Sequence, residues 1–360
     1  MALRILLAGG GTAGHIEPAI AVADAIRKIN PDAECIFLGT EGGLENLLIP
    51  KAGYQLRKIP KVTMPRHVTV SLFLFPVRIA AAISQARRAI KDADIVIGFG
   101  GYISASTYIA AKLSGIPIVI HEANAKPGWA NRLGRHWAKV VAVTFDEVRQ
   151  SWPGSILTGI PLRESIVAIQ SMSARDRREF RLLNCESWGF DPNRPVVAIF
   201  GGSQGSQRIN QVVSDFRRSS QSGIDAQIIH ALGVTNPLPD RAPDYLPMPY
   251  FHEMAAVYAS ADLLITRSGA VTCAEIATVG TYAILIPLAH GNGEQVTNAQ
   301  SLVRQGRAIT VANEEFSAPW LKGKLKEALA SAEATGNLTS AVHVGAAQRI
   351  AELALGAIEK

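Results

Sequence analysis

The feature that most restricts this chain is a motif that occurs twice. Near the start, the apolar run Arg4–Ala8 leads into Gly9-Gly10-Gly11-Thr12-Ala13-Gly14-His15, and then into AIAVADAIRKI, whose apolar residues recur at helical spacing. In the second half, PVVAIF (195–200) leads into Gly201-Gly202-Ser203-Gln204-Gly205-Ser206 and a second helical pattern. A strand running through glycines into a helix is the opening unit of a parallel α/β domain. The glycines permit the tight turn, and the first helical amides face whatever lies beyond the strand's carboxyl end. Two such openings predict two such domains.

The rest of the pattern agrees. ECIFLG, DIVIGFG, IPIVIHE and KVVAVTF follow in the first half, and AQIIHAL, ADLLITRSG and YAILIPL in the second, each separated by helical spacing. Strands apolar on both faces, with helices between them, predict a sheet covered on both sides. The predicted fold is therefore α/β, with two Rossmann-like doubly wound parallel-sheet domains facing a cleft. LTGIPLRESI (157–166) is the boundary, giving domains 1–160 and 161–340, with a last helix at about 341–360 expected to return to the first. A chain of 360 residues suits two cores.

Composition narrows the class. Hydrophobic residues at 48% against 18% charged exclude a disordered chain. Cys35, Cys185 and Cys273 stand too far apart for a disulfide framework or a paired-cysteine zinc site, and suit a reducing compartment. No apolar run reaches the roughly 18 residues a membrane span needs, and glycines interrupt the first one before a leader's apolar core is complete. The net charge of +6 collects in the first half, where residues 1–160 carry 18 Lys and Arg against 11 Asp and Glu. Between Glu45 and Asp92 there are nine basic residues and no acidic one. Within that stretch lies SLFLFPVRIAAAI (71–83), where Ile79, Ile83 and Ala86 account for a buried helical stripe. Leu72, Phe73, Leu74 and Phe75 are surplus to it. Flanked by Arg66, Arg78, Arg87 and Arg88, they predict shallow docking on an anionic membrane. The interleaved aliphatics suit lipid rather than nucleic acid.

The glycine turns differ in chemistry. GGSQGS, with the Ser203 hydroxyl, predicts a diphosphate cradle at a helix N-terminus. The first loop satisfies G-x-G-x-x-G through Gly9, Gly11 and Gly14, yet the acidic residue a dinucleotide ribose needs is missing from the end of ECIFLG. Glu41 comes only after a Gly-Thr turn, and His15 occupies the mouth of the helix, so a nicotinamide oxidoreductase is disfavoured. In TRSGAVTCAEIATVG (266–280), Thr272 and Glu275 share a helix face. Glu275 there either accepts from a ribose diol or closes a capping box. In PLAHGNGEQVTNAQSL (287–302), Glu294 and Gln295 either bind sugar hydroxyls or line a solvated loop. Asp92-Ala93-Asp94 has the form of a metal motif but precedes a strand, away from the carboxyl ends, so no metal is expected.

Together, GGTAGHIEP, GFGGYISAS, HEAN, GGSQGSQRIN, RSGAVTCAE and GEQVTNA occur in an order that resembles the MurG family of peptidoglycan N-acetylglucosaminyltransferases, and the resemblance runs from Leu3 to the last helix. It implies the GT-B fold and inverting transfer of N-acetylglucosamine from UDP-N-acetylglucosamine to the 4-hydroxyl of the muramoyl sugar of lipid I, with no cofactor. It further implies a peripheral protein on the cytoplasmic membrane face, among proteins of cell-wall synthesis. Carried over by motif, Glu275 holds the ribose, Phe251 in PYFHEM contacts the uracil, and Ser203 with its neighbours holds the diphosphate, with Arg163 nearby. Gly269, Ala270, Val271, Thr272, Cys273, Ala274, Glu294 and Gln295 line the donor sugar and phosphates. Thr12, Ala13, Gly14, His15 and Asn124 face the acceptor and the reacting centre.

His15 is the expected general base, since an imidazole with an ordinary pKa near 6.5 suits proton abstraction at neutral pH. Glu122 is its rival. Where the family usually has glutamine this chain has Glu294, which accepts hydrogen bonds from sugar hydroxyls but cannot donate. The alternatives are a nucleotide-sugar epimerase of the same fold, a non-catalytic nucleotide-sugar-binding subunit and the disfavoured oxidoreductase. UDP release that requires lipid I separates the transferase from all three.

Overall fold

The computed structural model describes residues 2–60, 75–202, 204–219, 225–288, 293–336 and 338–358, with side chains in the second of these stretches described from residue 79 onward. The chain divides into two compact units, Met1–Arg163 with Val342–Lys360, and Glu164–Ala341.

In unit 1, β1 (Arg4–Ala8), α1 (Ala13–Ile29), β2 (Glu34–Gly39), α2 (Glu45–Lys51), β3 (Gln55–Lys58), α3 (Phe75–Ile90), β4 (Ile95–Gly98) and α4 (Gly101–Ser114) alternate along the chain. They are followed by β5 (Ile118–Glu122), α5 (Trp129–Gly134), β6 (Val140–Val143), α6 (Asp146–Ser151) and the two-residue β7 (Ile156–Leu157). All described strands run parallel in the order β3-β2-β1-β4-β5-β6-β7. Ile5 and Leu7 point to one face, against Ile16, Val22 and Ile26 of α1. Leu6 and Ala8 point to the other, against Ala86 and Ile90 of α3 and Tyr108 of α4. Each fully buried Leu or Ile contributes roughly 1.5–3 kcal/mol, which is why a run apolar on both faces commits to the sheet centre.

In unit 2, α7 (Glu164–Ser171) and α8 (Ala174–Trp188) lead to β8 (Val196–Phe200), α9 (Gln207–Ser219), β9 (Gln227–Ala231), β10 (Tyr245–Met248), α10 (Met254–Ser260) and β11 (Leu263–Thr266). Then come α11 (Ala270–Val279), β12 (Tyr282–Leu285), α12 (Glu294–Arg304), β13 (Ala308–Thr310) and α13 (Ala318–Thr335). This sheet is also parallel, in the order β10-β9-β8-β11-β12-β13. Its core joins Val197 and Ile199 to Ile209, Val213 and Phe216 of α9 and to Leu321 and Leu325 of α13. The last helix, α14 (Ala346–Gly356), lies in unit 1, where Ile350, Ala351 and Ala354 enter the core beside α1.

Both strand orders reverse direction at one point, between β1 and β4 in unit 1 and between β8 and β11 in unit 2. The loops leaving those strand pairs diverge and leave a crevice at the carboxyl ends, where open α/β sheets bind ligands. Four edge strands, β3, β7, β10 and β13, fall outside the apolar runs read from sequence. Edge strands are paired on one side only, so they tolerate the polar QLRK of β3 and Pro247 in β10.

Candidate functional site

In unit 1 the crevice lies between the turn after β1 and the turn after β4. Thr12, in extended conformation, is the N-cap of α1, yet its side chain does not cap the helix. Instead Thr12 Oγ1 lies 3.1 Å from His15 Nδ1. Gly100 and Gly101 pass beside the imidazole with φ of +96° and +81°, and a Cβ on Gly100 would stand 3.3 Å from His15 Nε2. A side chain at either glycine is disfavoured by backbone conformation, and at Gly100 it would also crowd the ring. Desolvation by these walls lowers the His15 pKa below its ordinary 6.5, against a hydrogen bond to the Gly10 carbonyl that raises it. The ring is therefore held neutral near pH 7, the state in which one nitrogen accepts a proton.

The loop carrying Thr12 is anchored by a residue that motif reading passes over. Glu45, the first residue of α2, is 0% exposed. Its Oε2 accepts from Gly11 N at 3.1 Å, and its Oε1 accepts from Thr40 N and Thr40 Oγ1, both at 2.9 Å. Burial alone would raise its pKa, but these donors outweigh burial and hold it below the ordinary 4.5. A Cβ at Gly39 would come within 2.6 Å of Glu45 Cγ, and one at Gly43 would collide with the carboxylate. Its sign in the sequence is a carboxylate in TEGGLENLL, set among glycines and aliphatics.

Glu122 ends β5, 2% exposed. Its Oε1 accepts from Asn124 N at 2.9 Å and from Asn124 Nδ2 at 3.3 Å. Its Oε2 accepts from Gly128 N and Asn131 Nδ2, each at 3.0 Å. Burial raises its pKa against these donors. Four donors occupy the roughly four acceptor positions of a carboxylate, so Glu122 folds the 123–128 loop over itself and fixes Asn124. Arg163, the last residue before unit 2, has its guanidinium Nε 3.7 Å from Glu17 Oε2 of α1.

In unit 2 the crevice is bounded by the turns after β8 and β11. Gly202 and Gly205 have φ of +95° and +75°, which confirms the tight turn expected of GGSQGS, while Ser203 itself lies outside the described residues. Arg267, at the end of β11, ties the two turns together: its Nη2 donates to Ser206 Oγ at 2.7 Å and its Nη1 to the Ile286 carbonyl at 3.0 Å. Burial lowers its pKa, which still leaves a guanidinium charged.

Gly269 is the N-cap of α11, and Ala270, Val271, Thr272, Cys273 and Ala274 form its first turns, with Glu275 next. Glu275 is thus too deep in the helix to close a capping box, which requires the third helical position. It is 5% exposed, and Tyr258 of α10 donates to its Oε2 at 2.8 Å. Phe251, 3% exposed, meets Phe200 edge-on at 6.0 Å, and Phe200 meets Tyr258 in the same way at 6.2 Å. These rings form a connected apolar cluster that includes the Tyr258 ring whose hydroxyl holds the carboxylate. Burial pushes the Cys273 thiol up to about 12, so it is inert as a nucleophile. Ser268 Oγ donates to the Gln295 carbonyl at 2.9 Å, and Gln295 Oε1 accepts from Leu288 N at 3.0 Å. The loop carrying Gln295 and the half-buried Glu294 is thereby fastened to the start of α11.

Asp92 and Asp94 lie at the amino end of β4. Asp92 pairs with Arg57 at 2.7 Å and Arg4 at 3.2 Å, and Asp94 accepts from Arg4 N at 2.7 Å. Among the described residues no cluster of His, Cys, Asp and Glu is placed to hold a metal, and no helix is long and apolar enough to cross a membrane. Leu72 and Phe73 lie outside the described residues, as do the side chains of Phe75 and Arg78 at the start of α3.

Residues 5–143 match the glycosyltransferase family 28 N-terminal domain and residues 196–354 its C-terminal domain. The chain is 45% identical to the UDP-N-acetylglucosamine–N-acetylmuramyl-(pentapeptide) pyrophosphoryl-undecaprenol N-acetylglucosamine transferase of Corynebacterium diphtheriae, over 87% of this chain and 84% of that one. It is 43% identical to the Streptomyces avermitilis protein of the same name, over 91% and 90%. Among solved structures it is similar to Acinetobacter baumannii MurG, with a TM-score of 0.70 and 25% identity, covering 98% of this chain and 99% of that one. Its fold is also that of the calicheamicin glycosyltransferase CalG4, at a TM-score of 0.67 and 12% identity.

Proposed function

Given that the chain belongs to glycosyltransferase family 28, as one of its MurG members, we propose that its first unit holds the acceptor around His15 and its second unit the nucleotide around Glu275. The reaction is inverting transfer of N-acetylglucosamine from UDP-N-acetylglucosamine to the 4-hydroxyl of the muramoyl sugar of lipid I, giving lipid II and UDP. Both units adopt the Rossmann-like parallel-sheet fold of GT-B enzymes.

The step has two demands. The acceptor oxygen attacks the anomeric carbon as it loses its proton, and the bond from that carbon to the β-phosphate oxygen breaks with the electron pair leaving on UDP. For the first demand, His15 takes the proton on Nε2 while Nδ1–H stays engaged on the Thr12 and Gly10 side. For the second, the amides at the start of α11 and in the turn after β8 face the diphosphate, with Ser203 as a further donor. Charge developing on a leaving phosphate is stabilised best by such fixed donors.

Glu275 accepts from the ribose hydroxyls, oriented by Tyr258. Phe251 meets the uracil at the wall of that aromatic cluster, where its 3% exposure leaves little ring face to stack on. Gln295 and Glu294 meet the sugar. Thr12, Ala13 and Gly14 receive the acceptor with Asn124, whose position Glu122 sets. The departure at Glu294 is harmless where the sugar hydroxyl is the donor.

The membrane reading rests on residues 71–78 and on the cations at the far end of α3. Arg87 and Arg88 are exposed in the last turn of that helix, and Arg87 Nε donates to Ser114 Oγ at 3.4 Å, beside the exposed Lys112 and Leu113 of α4. Each cation at an anionic surface contributes about 1 kcal/mol, which suits reversible docking at the inner leaflet beside other cell-wall enzymes.

The observation that supports the assignment is that a glycine turn leaves the sheet at the switch point of each unit, with His15 beside Gly100 in unit 1 and Arg267 bridging the turns after β8 and β11 in unit 2. The test is UDP release from purified protein with UDP-N-acetylglucosamine, with and without lipid I. Release only with lipid I is expected; release without it, or conversion of the donor to an isomer, would refute the transferase reading.

A further inference from the structure

Two aromatic side chains stand half exposed at the carboxyl edge of the unit 1 sheet. Tyr102, the second residue of α4, is 45% exposed, and Trp129, the first of α5, is 49% exposed. Their ring centroids are 5.9 Å apart and the planes are inclined at 56°. Neither ring is needed to fill the core. Large apolar faces are seldom left paired in water at a fixed angle unless something is to cover them.

The pair is held firmly. Gly128, immediately before Trp129, and Asn131, one half-turn after it, both donate to Glu122 Oε2 at 3.0 Å. Tyr108 OH donates to Asn131 Oδ1 at 2.8 Å. On the other side, Tyr102 follows Gly101, where a Cβ would lie 3.7 Å from His15 Nδ1. Tyr102 therefore stands one residue from a glycine that passes beside the imidazole, and Trp129 follows the loop that carries Asn124 and the exposed Lys126.

We infer that Trp129 and Tyr102 form a platform on which the C–H face of the acceptor's pyranose ring stacks, making Trp129 a specificity-determining residue for the acceptor. The inference rests on the reading that unit 1 holds the acceptor beside His15. A pyranose is an amphipathic ligand: its axial C–H bonds pack on an aromatic face while its equatorial hydroxyls reach polar groups. Rings that follow, along the chain, a glycine beside an imidazole and a loop bearing an asparagine and a lysine suit such a ring better than a purely aliphatic chain, which offers those polar groups no partner.

The test compares wild type with Trp129→Leu and Trp129→Phe, using lipid I with its full polyprenyl chain and a water-soluble version with a short prenyl chain. Trp129→Leu should raise the acceptor KM about tenfold for both with the UDP-N-acetylglucosamine KM unchanged, and Trp129→Phe should restore most of the loss. The acceptor alone should also shield wild-type fluorescence from acrylamide more than that of Trp129→Phe. An unchanged acceptor KM in Trp129→Leu overturns the platform, and a loss seen only with the long-chain acceptor shows that the rings take lipid, which overturns it equally. A changed donor KM or far-ultraviolet spectrum reports a structural role and counts against it. If wild type itself transfers to neither acceptor, the proposed function has failed rather than the platform alone.

Discussion

Replacing Glu45 with glutamine should loosen the first glycine turn and show how far that turn depends on one buried carboxylate. In the native chain Oε1 serves Thr40 and Oε2 serves Gly11 N, with no exposure to water. Glutamine keeps one acceptor oxygen for Thr40 but turns an NH2 group toward the Gly11 N–H, so donor meets donor. The cost combines one lost charge-assisted hydrogen bond with one buried amide left unpaired, about 2–4 kcal/mol. A domain of this size holds only about 5–15 kcal/mol in all and shifts by about 2–4 °C per kcal/mol. Unit 1 should still fold, with its unfolding transition lowered by roughly 5–15 °C when followed by tryptophan fluorescence.

The pH dependence follows from the direction of the Glu45 shift. Its folded pKa lies below the ordinary 4.5, so the stability it contributes is complete above the unfolded value and drains as pH falls through the folded one. Wild type should therefore lose stability across that acid window, and Glu45→Gln should lose less there, having no carboxyl to titrate. Turnover should fall with the loosened turn, because Gly11 leads directly into Thr12 and His15. A variant that unfolds within a degree or two of wild type, with the same acid profile, would refute the reasoning.

His15→Ala should cut turnover by roughly 10²–10⁴-fold while UDP-N-acetylglucosamine still binds, and near-normal turnover would remove His15 from the role of base. Because desolvation lowers the His15 pKa, the acid limb of the wild-type rate profile should fall with an inflection below 6.5; an inflection above that value would contradict the buried, neutral imidazole. Flotation with anionic liposomes should carry wild type and lose the Leu72→Ser, Phe73→Ser double variant, since burying each such side chain contributes roughly 1.5–3 kcal/mol; equal flotation would dismiss docking through 71–78.

The central strands are legible because their chemistry is local. A stretch such as VVAIF or IVIG is buried on both faces, and nothing but a sheet interior accepts it. The strands that composition does not mark are short edges whose pairing comes from a neighbour: among the described residues Gln55–Lys58 pairs with β2 alone, and Tyr245–Met248 pairs with β9 despite Pro247. The same division holds in the site. His15 and Glu275 stand inside motifs whose glycines announce a turn, and Glu122 closes an apolar strand run. Their supports do not, because the contacts join distant positions: Glu45 reaches Gly11 across 34 residues, Tyr258 reaches Glu275 across 17, and Arg267 reaches Ser206 across 61. On sequence alone the two readings of Glu275 are level; its depth in α11 excludes the capping box, which only the helix boundary could show.

Calorimetric titration of UDP into wild type, Glu275→Gln and His15→Ala probes the division of labour most directly. The account predicts that Glu275→Gln weakens UDP binding by about tenfold or more, because hydrogen bonds to a charged acceptor contribute roughly 1.5–3 kcal/mol, and that His15→Ala binds UDP as wild type does. Affinity lost in His15→Ala and kept in Glu275→Gln would put the nucleotide in the other unit.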